Sequence, residues 1–273
     1  MIALVSPTIW LPEAVATAGI VLAFCLIALW LVSLVRRDVS IIDLFWGFGF
    51  VLCAWIYRAL GGEVDLRQAV QLALVTVWGL RLSGYLTWRN WGKDEDRRYA
   101  EMRRQVGESF RWRSLITVFF LQGFLILVIS APLYWVQTQD ARGGDSAPWN
   151  AVDFLAVACW SIGFFFEAVG DWQLARFKAD PSNEGKVLRS GVWATTRHPN
   201  YFGEMMMWIG YFLFAASLPG GWWTLFSPIL MTTFLLKVSG VSLLEKDIAE
   251  RRPKYRDYVR STNAFFPWPP KKN

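Results

Sequence analysis

Residues 14–35 read AVATAGIVLAFCLIALWLVSLV, an apolar run without a charged side chain. A helix needs about 20 such residues to cross the roughly 30 Å hydrocarbon core of a membrane. The run is too long for the apolar part of a signal peptide, and no basic region precedes it. It therefore predicts a membrane-spanning helix.

Further apolar stretches of similar length follow along the chain. Together they predict seven spans, at about 12–35, 39–58, 67–88, 114–136, 150–175, 200–218 and 221–244. If the chain crosses the membrane at these seven spans, 23 of the Lys and Arg residues fall on one side and three on the other. Because cytoplasmic loops carry the excess of positive charge, the N-terminus is expected outside and the C-terminus in the cytoplasm. We expect one all-α integral membrane domain over residues 1–273, in a bacterial inner membrane.

The composition limits the other classes of protein. The chain is 54% hydrophobic and 18% charged, whereas soluble domains are about a quarter charged. Its net charge of +6 is therefore better explained by cytoplasmic loops and anionic lipids than by nucleic acid. The three Cys form no CxxC pair and there is one His, so neither a disulfide framework nor a metal site is predicted. The expected partners are membrane lipids and an apolar small molecule, with no nucleic acid and no obligate protein partner.

Several charged side chains fall inside the predicted spans, where charge is costly and often functional. Those in the cytoplasmic halves are Asp43, Arg81, Glu167, Asp171, Glu204, Lys237 and Glu245. Their common depth favours a polar cavity open to the cytoplasm over charges that only snorkel to the interface. Asp153 lies near an outer end, where a structural role is favoured.

The densest polar segment is Gly191 to Glu204, which surrounds Arg197-His198-Pro199-Asn200-Tyr201. Pro199 suits the first turn of a helix, and the free N–H groups there suit an anion. The guanidinium of Arg197 could grip phosphate through two hydrogen bonds, with His198 as a further contact. Asn200 and Glu204 are four residues apart and so share a face. The alternative is a capped helix start with a structural Arg.

Tyr85 is a candidate acid in the third span. Its hydroxyl can polarise a carbonyl, with Asp43 to orient it, and Arg81 should share its helix face. Residues 251–260 alternate basic and aromatic side chains. This tail is either an amphipathic segment on anionic lipid or a lid over a nucleotide.

The chain resembles the steroid 5α-reductase family over most of its length. The resemblance is carried by Gly170-Asp171-Trp172, the segment from Gly191 to Glu204, Trp208-Ile209-Gly210-Tyr211, Ser217-Leu218-Pro219 and Pro253-Lys254-Tyr255. Members of that family are seven-helix membrane proteins that bind NADPH in a cytoplasm-facing cavity. They reduce the C=C bond of a Δ4-3-oxosteroid.

The resemblance implies roles for individual residues. It assigns Tyr85 to the substrate carbonyl, with Asp43 near the carboxylate of the second span. Together with the polar side chains of the Gly191–Glu204 segment, the implied cofactor-binding residues are Asp171, Lys178, Lys186, Arg197, His198, Asn200, Tyr201, Glu204, Lys237, Glu245 and Tyr255. NADPH is the implied cofactor.

Two other classes of function remain open from the sequence. Arg197 to Tyr201 also matches the RHPxY motif of isoprenylcysteine and phospholipid methyltransferases, which bind S-adenosylmethionine. Those enzymes have a Glu-Glu pair where this chain has Glu245-Lys246. A transporter or scaffold without catalytic activity is the third class, in which the acidic residues would line an ion path.

Overall fold

The computed structural model describes residues 12–62, 64–139, 148–238 and 255–270, and all regular elements in these ranges are helical. The chain forms two compact units, Met1–Pro148 and Trp149–Asn273, called here the first and second units. Five helices are long and apolar enough to cross a membrane, counted over the described residues. The prediction of an all-α chain with apolar membrane-length helices is confirmed.

The first unit opens with three long helices. These are α1 (Pro12–Arg36), α2 (Ile41–Leu60) and α3 (Leu66–Asn90), close to the predicted first three spans. Asp65 and Gln68 form a reciprocal capping box that fixes the start of α3. The backbones of α2 and α3 approach closely where Gly47 faces Gly79, since a Cβ on Gly47 would lie 2.6 Å from the Gly79 carbonyl oxygen. Small residues allow such contacts between membrane helices.

The fourth span differs from the prediction of 114–136. A helical run starts at Arg97 and continues to Ile129. It comprises α4 (Arg97–Val106), a short 3-10 turn, α5 (Phe110–Ser114), a π-helical stretch (Leu115–Phe120) and α6 (Leu121–Ile129). The basic residues before position 114 lower the mean hydropathy there, so hydropathy did not predict that the helix starts at Arg97. The helix breaks before α7 (Ala131–Gln137) because Pro132 has no N–H to donate.

The second unit is built on a helical hairpin. Its arms are α8 (Ala151–Ala179), close to the predicted fifth span, and α9 (Pro199–Ala216). Asn150 and Asp153 form the capping box of α8, and Ser217 donates a hydrogen bond to Asp153. This confirms the structural role expected for Asp153.

The remaining elements of the second unit are short. A 3-10 turn (Gly221–Leu225), α10 (Phe226–Thr233) and a π-helical stretch (Phe234–Val238) occupy part of the predicted seventh span, and α11 covers Tyr255–Ser261. Residues 239–244 of that span lie outside the described residues. The segment 262–270 follows α11 without regular structure and is called the C-terminal strap.

Candidate functional site

The segment predicted to bind an anion does begin a helix. The chain makes a 3-10 turn at Gly191–Ala194, and α9 then starts at Pro199, as its proline predicted. His198 is the N-cap residue, and its side chain makes no capping hydrogen bond. The imidazole is buried and stacks on the ring of Tyr201, with 5.5 Å between the centroids.

Two buried carboxylates lie on α8 where it packs against the first turns of α9. Glu167 and Asp171 are one turn apart and are 3% and 4% exposed. A Cβ built on Gly203 would lie 2.6 Å from the Glu167 backbone nitrogen, which shows how closely the helices approach. Gly170, directly before Asp171, faces Pro199. Glu167 and Asp171 therefore lie on the part of α8 that packs against the start of α9.

The α9 residues of the predicted site share this neighbourhood. Glu204 is buried, while Asn200 and Tyr201 are half-buried in the first turn. The hairpin thus gathers two carboxylates of α8 with one carboxylate, one amide and one phenol of α9. Carboxylates accept hydrogen bonds, whereas the side chains of Asn and Tyr can both donate and accept them.

Arg197 makes structural hydrogen bonds to backbone carbonyls, which was the alternative to phosphate binding in the sequence analysis. It is buried, and its Nη1 donates to the carbonyls of Val259 and Thr262 at 3.1 and 2.7 Å. These carbonyls lie at the C-terminal end of α11, where orphan acceptors attract cations. This nitrogen therefore holds the C-terminal residues in place, and phosphate binding by Arg197 would depend on the rest of the guanidinium.

The C-terminal strap adds several contacts to the same segment. The backbone N–H of Arg197 donates to Asn263, and that of Trp268 donates to Thr195. The Tyr258 hydroxyl donates to the Trp193 carbonyl. Helix α11 and the strap are thus joined by hydrogen bonds to residues 193–197, directly before α9. Sequence reasoning missed Tyr258, whose only signal was its position three residues after Tyr255.

The remaining predicted cofactor residues are three lysines, Tyr255 and Glu245. Lys178, Lys186 and Lys237 all have exposed side chains. Tyr255 is buried at the start of α11 and packs on Tyr258, with 5.7 Å between the ring centroids. Glu245 lies outside the described residues. Lys178 lies in the last turn of α8, and Lys186 lies in the loop that follows it.

In the first unit, Asp43 is paired with a different tyrosine from the one predicted. Its Oδ1 accepts a hydrogen bond from the Tyr99 hydroxyl at 2.7 Å and from the Gln122 amide at 3.3 Å. Its Oδ2 accepts from Arg98 at 2.7 Å. The expectation that Asp43 orients Tyr85 is therefore wrong. The physical reason is that residues 96–99, at the start of α4, fold across the first turn of α2 and occupy both carboxylate oxygens.

Tyr85 lies instead between two cations of its own helix. The guanidinium carbon of Arg81 is 5.5 Å from the ring centroid of Tyr85, and that of Arg89 is 5.6 Å away. The predicted shared face of Arg81 and Tyr85 is confirmed, since residues four apart are neighbours on a helix. Cations at this distance are attracted to the face of an aromatic ring.

A second ion pair fixes the polar segment before α4. Arg103 donates to both carboxylate oxygens of Glu95 at 2.9 and 2.8 Å, and the Val39 N–H donates at 2.8 Å. Burial alone would raise the pKa of Glu95, but these hydrogen bonds outweigh it and hold the pKa below its ordinary value. The turn between α1 and α2 is thereby joined to α4.

The chain matches the sequence profile of a family described as protein of unknown function (DUF1295) over residues 29–262. The chain belongs to this family. An uncharacterised protein of Schizosaccharomyces pombe is 27% identical over 282 residues, covering 91% of this chain and 78% of that protein. No solved structure matches the chain at a significant level. The family match includes Asp43, Tyr85 and the whole α8–α9 hairpin.

Proposed function

We propose that this protein is an integral membrane oxidoreductase that reduces the C=C bond of an apolar enone with NADPH. A Δ4-3-oxosteroid, converted to the 5α-3-oxosteroid, is the substrate that the sequence resemblance favours. The observation that carries the proposal is the burial of Glu167 and Asp171 beside the start of α9. Two of the segments that carry the sequence resemblance, Gly170-Asp171-Trp172 and Gly191–Glu204, meet there, which supports a phosphorylated ligand at the helix start.

The side chains of this neighbourhood fit the chemistry of a dinucleotide. Asp171 can accept hydrogen bonds from hydroxyl or amino groups, and Asn200 can both donate and accept. Lys178 and Lys186, exposed at the end of α8 and beyond it, can neutralise phosphates. When bound, NADPH supplies the hydride.

Tyr85 provides the hydrogen bond to the substrate carbonyl in this proposal. As negative charge develops on that oxygen, the hydrogen bond strengthens, so it favours the transition state over bound substrate. Arg81 and Arg89, both close to the Tyr85 ring, add a positive field at the same place. They take the supporting role first expected of Asp43.

The proposal includes seven spans with the N-terminus outside and the cofactor site facing the cytoplasm of a bacterial inner membrane. Helix α9 has 18 residues, which corresponds to about 27 Å of rise and approaches the hydrocarbon thickness. It and the helical segment from Gly221 onward would be the sixth and seventh spans. The basic stretches of Arg97–Arg113 and Arg176–Arg197 would then face the cytoplasm, as positive loops usually do.

Ligand-dependent melting of the full-length protein in detergent tests the proposal. NADPH should raise the melting temperature, because a ligand at 100 times its Kd stabilises by about 2.7 kcal/mol. Asp171→Asn should reduce that shift, while Glu184→Gln, an exposed carboxylate in the following loop, should leave it intact. A shift with S-adenosylmethionine but not with NADPH would indicate a methyltransferase. A shift with neither ligand would refute the enzyme proposal and favour a transporter or scaffold.

The catalytic role of Tyr85 has its own test. Tyr85→Phe should lower enone-dependent NADPH oxidation by about 100-fold, the usual effect of removing one donor to a developing oxyanion. The NADPH melting shift should stay, since the hydroxyl is assigned to the substrate. Unchanged turnover in this variant would contradict the assignment.

A further inference from the structure

A cleft of about 250 Å³ lies in the first unit, where three membrane-length helices end or begin. Its lining includes Arg36, the last residue of α1, Ile41, the first residue of α2, and Asn90, the last residue of α3. Because spanning helices end near the polar headgroups, this position corresponds to headgroup depth. The volume is below the roughly 300 Å³ at which pockets for drug-sized ligands begin, and suits a small polar group.

Two carboxylates in the cleft wall are engaged within the protein. Asp38 accepts a hydrogen bond from the Ser40 N–H at 2.9 Å. Asp96 accepts from the Arg98 backbone and guanidinium, both at 2.9 Å. These contacts fix the α1–α2 turn and the start of α4, so the cleft has a defined frame.

Three other charged side chains on the lining have no such engagement. Arg36, Lys93 and Asp94 are exposed, and none of their side chains forms a hydrogen bond or ion pair with any residue in the described ranges. The cleft therefore presents two cations and one carboxylate that are available to a ligand. A ligand that satisfies all three carries both a negative and a positive group.

The mouth of the cleft has the character of a membrane interface. Trp91 lines the cleft and is 74% exposed, and Leu44 adds an apolar side chain to its wall. Exposed Trp is enriched at the level of the lipid headgroups, where one side of the ring is apolar and the N–H is wet. A ligand that combines a zwitterionic group with an apolar body matches this setting.

We propose that this cleft binds the headgroup of an aminophospholipid of the phosphatidylethanolamine type. Arg36 and Lys93 bind the phosphate, and Asp94 accepts hydrogen bonds from the primary ammonium. An ammonium group has three N–H donors, whereas the quaternary nitrogen of choline has none, so the carboxylate distinguishes the two headgroups. The inference rests on the first unit alone and does not depend on the proposed reductase activity.

Native mass spectrometry of the full-length protein with equimolar phosphatidylethanolamine, phosphatidylcholine and phosphatidylglycerol tests the proposal. We expect retained phosphatidylethanolamine to exceed each of the other lipids by about fivefold. Because exposed ion pairs contribute modestly, Asp94→Asn should reduce this preference by about threefold and Asp94→Glu should keep it. The matched control Glu184→Gln, in an exposed loop of the second unit, should leave the preference unchanged.

The phosphate contact is tested by the double variant Arg36→Gln, Lys93→Gln. It should lower retention of phosphatidylethanolamine and phosphatidylcholine together, whereas Arg256→Gln, Arg260→Gln, on the exposed face of α11, should not. Preferred retention of phosphatidylglycerol, or an Asp94→Asn variant with full selectivity, would overturn the proposal. A melting shift with free phosphoethanolamine as large as that with the lipid would also overturn it, because the ligand would then be soluble.

Discussion

Replacing Gly203 by Ala tests the close approach of α8 and α9 on which the carboxylate cluster depends. A Cβ at this position would lie 2.6 Å from the Glu167 backbone nitrogen and closer still to the Gly163 carbonyl oxygen. Both are backbone atoms, which cannot rotate away as a side chain can, so the helices must move apart. Overpacking of this kind costs up to about 3 kcal/mol.

The helix propensity of Ala offsets part of this cost. Ala is about 1 kcal/mol better than Gly inside a helix, which leaves a net destabilisation of about 2 kcal/mol. At about 2–4 °C per kcal/mol for a chain of this size, Gly203→Ala should lower the melting temperature by about 4–8 °C. Thermal unfolding of the purified protein in detergent measures this directly.

Gly84 provides a matched control within α3. A Cβ there would have no atom within 4 Å apart from its own helix backbone and chain neighbours, so Gly84→Ala should be neutral or stabilising. If Gly203→Ala and Gly84→Ala melt at the same temperature, the helices do not pack as closely as the structure shows. The placement of Glu167 and Asp171 beside the start of α9 would then be wrong as well.

Two further predictions concern contacts that hold the polar segments. Arg197→Gln should lower the melting temperature and expose residues after Tyr255 to limited proteolysis. The reason is that each lost hydrogen bond from a charged group to a buried carbonyl costs about 1.5–3 kcal/mol. An unchanged digestion pattern would contradict this role of Arg197. Glu95→Gln should lower the melting temperature at neutral pH. The pKa of Glu95 is held below its ordinary value of 4.5, so its carboxylate stabilises the fold above that pH and loses this effect as the pH falls through the lowered value. The difference between wild type and variant should therefore close in acid, and a gap that persists at pH 2 would refute the ion pair with Arg103 as its source.

The sequence predicted the long helices well because hydropathy is a local property. The bounds of α1, α2, α3 and α8 fall within a few residues of the predicted spans. The start of α9 was also predicted, since Pro199 limits where a helix can begin. The shared face of Arg81 and Tyr85 followed from helical spacing alone.

Hydropathy failed where a helix begins before its apolar part. The run from Arg97 is helical well before its apolar part starts, since a helix can continue through charged residues. Its basic side chains find partners outside the helix, such as Asp43 for Arg98, 55 residues away, and Glu95 for Arg103, eight residues away. Such pairs leave no signature in a single sequence.

The amino-acid sequence by itself determined the helical class of this protein and its long apolar helices. Only the tertiary structure decided which groups meet: Asp43 with Tyr99 rather than Tyr85, and Arg197 with the carbonyls at the end of α11. The physical reason is that periodicity and hydropathy specify the position of a residue along a helix and its face. The rotation of that helix, and the path of distant segments across its ends, are set by packing between helices.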